Sequence, residues 1–214
     1  MPSVALKKLS LCLLWHHHQP LYRDPAADRP RGSYRLPWVR LHGLRDYFGM
    51  AARLWESPGL HCTVNLTPIL VWQLNDYLAG ATDRLWELTL KAPDGLSPRK
   101  ALLLLRDAFD ADHENQIALH PRYAELFERY YPLSRSLADL DLGPEDAVPS
   151  GMAAETARIP RRDLLDLAFW CNLAWFPVEM REGEWVTPWG EHLSAAELVL
   201  KLSLIHISEP TRPY

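Results

Sequence analysis

Residues 9–20 read LSLCLLWHHHQP and decide how the rest of the chain is interpreted. The nearly continuous apolar run at 9–15 has no helical spacing, and a run of this length is typical of a buried strand in a parallel sheet. Pro20 ends the strand because proline cannot donate a backbone hydrogen bond to a neighbouring strand. His16 and His18 are two residues apart, so their side chains are predicted to point to one side. Functional sites of parallel α/β proteins gather at this carboxyl end of a strand.

Strands and helices alternate in the part of the chain that follows. Pro37 is predicted to open a helix at its first position, and the sequence SPG at 57–59 breaks that helix. Residues 61–66 have the composition of a second strand. Thr67 and Pro68 then supply an N-cap and a first helical residue for the next helix. The order strand, helix, strand, helix predicts an α/β fold with parallel strands.

Helical patterns dominate residues 82–176, which we interpret as a large insertion between strands of the sheet. Residues 141–158 lack such a pattern and are predicted to form a loop. The predicted helices of this region cover residues 82–91, 97–110, 121–130, 132–140 and 160–176.

The composition of the 214 residues is that of a globular protein, with 48% hydrophobic and 23% charged residues. A net charge of −4 gives no basic footprint for nucleic acid. No apolar stretch is long enough to span a bilayer, and residues 1–14 lack a signal-peptide cleavage site. Cys12, Cys62 and Cys171 form no CxxC pair, which favours reduced, buried thiols. We therefore expect a cytoplasmic protein with no nucleic-acid or membrane partner.

The histidine pair leaves three chemical roles open. His16 and His18 could hold a metal with a carboxylate from elsewhere, act as acid or base near neutral pH, or donate hydrogen bonds to sugar hydroxyls. His17 is predicted to point the other way. No H-x-D or H-x-x-x-H pattern is present, and the nearest carboxylate, Asp24, lies across a loop, so no metal or other cofactor is assigned. Nine Trp and eight Tyr residues could include stacking surfaces for flat ligands such as sugar rings.

Four segments resemble motifs of family 57 of the glycoside hydrolases, and they occur in the family's order. The sequence WHHHQP at 15–20 resembles the W-H-x-H-Q-P opening, and YRLPWVRLH at 34–42 is similar to Y-x-L-P-W-V-R-L-H. The sequence VNLTP at 64–68 resembles N-L-V-P-S on the second strand. The sequence DLAFWCNLAWF at 166–176 is similar to the D-L-x-V-W-x-N-L-A-W-F helix.

The resemblance implies the N-terminal part of an incomplete (β/α)7 barrel with a large helical insertion. It also implies an α-glucan as partner and retaining hydrolysis or transfer, as in alpha-amylases and 4-alpha-glucanotransferases, by a Glu nucleophile and an Asp acid/base. Both carboxylates lie on later strands in the family, beyond a motif that this sequence lacks. We therefore assign no catalytic residue, and we interpret four late glutamates as solvated charges. These are Glu179, Glu182, Glu184 and Glu191.

The same resemblance suggests five residues that bind substrate. His16 and His18 would contact the sugar at the cleavage point, with Gln19 as a hydroxyl partner or a support. Trp38 is either a stacking surface for a sugar ring or a ring packed into the core. Asn65 either reaches the same pocket or is a satisfied buried amide.

Two further residues and two alternative functions follow from the same segments. Arg40 and His42 lie on the predicted helix, and we expect them to support the preceding loop rather than touch substrate. One alternative function is a metal-dependent hydrolase of the deacetylase-like barrel type, with His16 and His18 as ligands. The other is a non-catalytic carbohydrate-binding protein, which would lack the downstream Glu and Asp.

The end of the sequence resembles a segment that is foreign to the natural protein. The sequence LSLIHISEPTR at 202–212 resembles the translation of a transposon-end sequencing adapter. Natural sequence is then expected to stop near Lys201, within a predicted helix that starts after Ser194. On this interpretation residues 1–201 are part of a family 57 catalytic domain, residues 202–214 are an adapter-derived tail, and the fragment alone is inactive.

Overall fold

The computed structural model describes residues 10–24, 33–92, 95–138, 148, 150–177, 185–186 and 192–193. Within these ranges the strands form three two-stranded sheets: β1 pairs in parallel with β3, β2 in parallel with β4, and β5 antiparallel with β6. The strands are β1 Leu14–His17, β2 Ser33–Tyr34, β3 Thr63–Leu66, β4 Thr82–Asp83, β5 Trp185–Val186 and β6 His192–Leu193. The predicted α/β class and the parallel pairing are confirmed, whereas the described residues do not form a barrel.

Helices make up most of the described structure. The first helical segment is continuous and contains a π-helical turn, Gly43–Tyr47, between α1 and α2. A second π-helical turn, His113–Ile117, precedes α6. The α-helices are α1 Trp38–His42, α2 Phe48–Glu56, α3 Pro68–Leu78, α4 Arg84–Lys91, α5 Pro98–Asp107, α6 Pro121–Leu137, α7 Ser150–Ala157 and α8 Arg161–Leu173.

The first strand is shorter and later than the apolar run predicted. Its pairing with β3 begins at Leu14 opposite Thr63, and the Thr63 N–H also donates to the Leu13 carbonyl. Residues 10–13 are not part of a strand despite their apolar composition. The strand includes His16 and His17 and ends before His18.

Two predictions about the helical region were wrong. The pattern predicted a break before Pro132, but α6 continues through this residue. Burial of Tyr130, Ser134 and Leu137 on the inner face stabilises the helix on both sides of the proline. The predicted loop at 141–158 contains α7, whose alanines favour helix although their small side chains leave little apolar pattern.

The hydrophobic core lies among helices α4, α5, α6 and α8. Leu102, Leu104, Leu126 and Leu167 are fully buried there. By contrast, all four residues of β3 are exposed. The predicted helical insertion is therefore the best-packed part of the described chain, and the β1–β3 pair lies at its margin.

A buried ionic cluster connects the first helix to the sheets and to α8. Arg40 donates from Nε to Asp83 Oδ2 over 2.6 Å and from Nη2 to Asp83 Oδ1 over 3.1 Å. Its Nη1 donates to Asn172 Oδ1 over 3.0 Å. Asp83 also accepts from the Trp86 backbone N–H and from the Tyr77 hydroxyl. Arg40 therefore supports the packing of α1 against β4 and α8, rather than the loop that precedes α1.

The three cysteines are unpaired but differ in burial. Cys12 is exposed and Cys62 partly buried, so the prediction of burial was wrong for Cys12, which precedes the paired part of β1. Cys171 is buried in the core. Burial raises the pKa of its thiol to about 12, and the nearby Arg40 only partly offsets this effect. Cys171 is therefore an unreactive, protonated thiol at neutral pH.

Asp163, at the start of α8, predicts a pH dependence of stability. Burial raises the pKa of its carboxyl, but hydrogen bonds from Tyr130, Arg122 and Arg129 outweigh burial and hold the pKa below its ordinary value. A depressed folded-state pKa stabilises the fold above the unfolded pKa, and this stabilisation is lost as pH falls through the folded pKa. We expect Asp163→Asn to lower the free energy of unfolding at neutral pH, by an amount that shrinks below about pH 4.

Urea unfolding of the two proteins at several pH values measures this difference. Glu128→Gln, on the exposed face of α6, is the matched control and should change stability little at any pH. A stability difference for Asp163→Asn that does not vary with pH would contradict the role assigned to the carboxylate.

Several predictions fall outside the described residues. They concern the four late glutamates, the helix after Ser194 and the adapter-like tail. Among the helices that are described, none is long and apolar enough to cross a membrane.

Candidate functional site

His16 and Asn65 are brought together by the parallel pairing of β1 and β3. The two residues are directly opposite in register, and His16 Nδ1 lies 2.8 Å from Asn65 Oδ1. Because an amide oxygen only accepts, Nδ1 carries the proton of this bond, which leaves Nε2 of the neutral ring as an acceptor. Both side chains are exposed. Asn65 is therefore not a buried amide, and it fixes the orientation of the His16 ring.

The rings of His16 and His18 stack on one side of β1. Their centroids are 6.0 Å apart and their planes differ by 12°. His18 is exposed, like His16. His17 points to the opposite side, where it is 8% exposed and stacks on Tyr47 at 4.7 Å. The structure thus shows the alternation that the spacing of the histidines predicted.

Gln19 is held between two tyrosines just after the strand. Its Nε2 donates to the Tyr47 hydroxyl over 3.2 Å, and its Oε1 accepts from the Tyr22 hydroxyl over 3.0 Å. Burial raises the pKa of Tyr47 and of Tyr22, so both hydroxyls stay protonated at neutral pH. The amide of Gln19 is therefore fixed in position, which favours a supporting role over a direct hydrogen bond to a sugar hydroxyl.

Trp38 lies between the hydrophobic core and a cavity. The ring is partly buried against the hydrophobic core, and its centroid lies 6.0 Å from that of Trp175. It also lines a cavity of about 450 Å³ together with Gln19 and His42. One side of the ring thus packs while another faces open space.

A larger cavity of about 940 Å³ adjoins the first. It is lined by Trp15 of β1, by the π-helical turn between α1 and α2, and by residues after α8. Four residues line both cavities, namely His42, Asp112, Gln116 and Trp175. We refer to the two cavities together as the long groove. Neither cavity is lined by His16, His18 or Asn65, because these side chains lie on the opposite side of β1 from Trp15.

Comparison with protein families gives one match. The model of glycosyl hydrolase family 57 matches residues 12–143, which is more than half of the chain. The chain belongs to glycosyl hydrolase family 57. Comparisons with curated proteins and with solved structures give no match.

The family match includes three of the four segments that resemble family motifs. It covers the strand with the histidine pair, the segment at 34–42 and the segment at 64–68. The segment at 166–176 lies beyond the match, and it forms α8 and the turn after it. Membership of family 57 shows that the chain belongs to a glycoside hydrolase whose substrate is a carbohydrate.

Two side chains that the sequence did not single out, Asp46 and Trp175, contact His42, whose expected role was to support the loop before α1. His42 hydrogen-bonds Asp46 through Nδ1, and its ring contacts that of Trp175 edge-on at 5.3 Å. The four-residue spacing of His42 and Asp46 on a helix could have indicated their pairing. Trp175 lies 133 residues further along the chain than His42, so no local signal predicted this contact.

The deacetylase-like alternative needs further ligands beside His16 and His18. In the ranges that the structure describes, no group of three or more His, Cys, Asp and Glu side chains lies close enough to hold a metal ion. His16 Nδ1 is bonded to the Asn65 amide, so only Nε2 of this ring is open to a metal ion or a sugar hydroxyl.

Proposed function

We propose that this family 57 chain is the N-terminal, substrate-binding part of a retaining enzyme that hydrolyses or transfers α-1,4-linked glucans. The observation that carries the proposal is the stacked pair of His16 and His18 beside Asn65 at the carboxyl ends of two parallel strands. Membership of the family supports the carbohydrate class.

In this proposal His16 and His18 hydrogen-bond the hydroxyls of the sugar at the cleavage point. The exposed side of β1 on which they lie would face the interior of the barrel once further strands are added. Asn65 would keep the His16 ring aligned. Such bonds accelerate the reaction when they strengthen as the sugar ring distorts. Gln19, fixed by Tyr22 and Tyr47, would support the end of β1, and Trp38 would offer a stacking surface for a sugar ring.

The chemistry itself is assigned to residues outside this chain. Retaining cleavage needs two carboxyl groups roughly 5–5.5 Å apart, one as nucleophile and one as acid/base. We propose that the strands bearing this Glu and Asp follow in a longer protein, so that the 214-residue chain binds without cleaving. The three unpaired cysteines favour the cytoplasm as its location.

The experiment compares this chain with the product of the extended reading frame. Reducing ends released from maltopentaose are measured for both proteins, with cellopentaose, the β-linked oligomer of equal length, as control substrate. We expect release only from maltopentaose and only by the extended protein. Release from cellopentaose would contradict the linkage, and binding without release by the extended protein would indicate a non-catalytic carbohydrate-binding protein.

A further inference from the structure

The long groove has the chemistry of a carbohydrate site, although none of its residues beyond Gln19 and Trp38 was assigned to substrate. Trp15 and Trp38 of its lining are partly exposed, whereas Trp175 is 7% exposed and packs against Trp38 and His42. Cavities of about 300–1,000 Å³ lined by aromatic rings with a few fixed polar groups are typical ligand sites. Both cavities of the groove fall within that range.

The polar groups of the groove favour an uncharged ligand. Arg45 and Arg53 stand beside Asp46 and Asp112, so charges of both signs line the larger cavity. A phosphate or a cationic ligand would meet repulsion from one of the two sets. Sugar hydroxyls both donate and accept hydrogen bonds, and therefore suit a wall that offers guanidinium donors and carboxylate acceptors together.

The backbone of the groove gives a second, independent indication. The two π-helical turns, Gly43–Tyr47 and His113–Ile117, both contribute residues to its lining. Single π-helical turns occur frequently at functional sites, because the inserted residue redirects side chains on one helix face. Here the first turn carries Asp46 into the groove, and the second carries Gln116.

One of these polar groups is rigidly held. Gln116 is buried, its Nε2 donates to the Ala174 carbonyl over 3.2 Å, and its Oε1 accepts from the Asp112 backbone N–H over 2.9 Å. These bonds connect the second π-helical turn to the chain that follows α8. The groove therefore has a fixed floor on which a ligand can bind without ordering a loop.

We infer that the long groove binds a segment of the α-glucan through its aromatic faces and mixed polar groups, on the side of β1 opposite the histidine pair. The choice of an α-glucan rather than another neutral sugar rests on the proposed function. Gln19 lines the smaller cavity and directly follows His18 in sequence, so the groove and the histidine pair lie on opposite sides of the same strand end.

Gly49 offers a way to block the groove without disturbing the fold. It lies in helix α2, lines the larger cavity, and a Cβ added to it would meet no atom within 4 Å. Gly49→Leu therefore extends an apolar side chain into open space and replaces a poor helix former with a good one. Gly151→Leu is the matched control, because Gly151 is an exposed helical glycine with equal room that lies outside the groove.

The test measures the dissociation constant of maltoheptaose by titration calorimetry for the chain and its variants. We expect Gly49→Leu to raise the constant by at least about tenfold, as a misplaced side chain in a binding pocket does, and Gly151→Leu to leave it unchanged. Unchanged affinity in Gly49→Leu, with weakened affinity in His18→Ala, would overturn the inference that the groove binds glucan and would leave the proposed function standing. Absence of maltoheptaose binding by the parent chain would overturn the groove, and maltopentaose cleavage by the extended protein would then decide the proposed function separately.

Discussion

Replacing Arg40 with alanine is expected to lower the free energy of unfolding by about 3 kcal/mol, because it leaves a buried carboxylate without its counter-charge. Asp83 is fully buried, and the side chain of Arg40 is 7% exposed. The loss should lie at the lower end of the range for broken buried ion pairs, since Asp83 keeps its hydrogen bonds from Trp86 and Tyr77. Chemical denaturation of the variant measures the change.

The control for this prediction is an exposed ion pair. Arg35→Ala breaks the contact with Asp24, but the Arg35 side chain is 66% exposed, so the expected change is at most about 1 kcal/mol. The double variant Arg40→Met with Asp83→Asn removes both charges, and it should be more stable than Arg40→Ala alone. An Arg40→Ala protein as stable as Arg35→Ala would show that the cluster does not hold α1 in place.

The second large effect concerns turnover in the extended protein. His18→Ala is expected to lower kcat/KM for maltopentaose by about 100-fold, the size seen when a donor aimed at transition-state charge is removed. His17→Ala should lower turnover far less, because its ring lies on the other side of β1 against Tyr47. Its cost should appear as reduced stability instead, since the side chain is 8% exposed. Steady-state kinetics and thermal unfolding separate the two effects.

The control histidine lies at the opposite end of the sheet. His61 is exposed and precedes β3, at the amino end of the strand, so His61→Ala should leave kcat/KM within about twofold of the parent. Equal losses of turnover in His17→Ala and His18→Ala would undo the assignment of the two faces of β1.

Local patterns predicted much of the fold because the relevant forces act between near neighbours. The period-two alternation of a strand predicted that His16 and His18 share a side, and Thr67 followed by Pro68 predicted where α3 begins. The same local patterns gave wrong predictions where tertiary packing is stronger than local conformational preference. Helix α6 passes through Pro132 because its inner face is buried on both sides of it.

The ionic cluster and the candidate site were less predictable, because their contacts join distant parts of the chain. Arg40 and Asp83 are 43 residues apart, and nothing local marks them as partners. The contact of His42 with Trp175 likewise depends on how α8 packs against α1. Resemblance to the family pointed to His16, His18, Gln19, Trp38 and Asn65, but it did not predict that Gln19 and Trp38 line a groove away from the histidine pair.

The orientation of individual imidazoles towards sugar can be observed by NMR with isotope-labelled histidine during a titration with maltoheptaose. We predict that the ring carbon and proton signals of His16 and His18 shift together with one dissociation constant, while those of His17 and His61 stay in place. Shifts confined to His17, or unchanged signals of His16 and His18 while the sugar binds, would contradict the proposal that His16 and His18 contact the sugar.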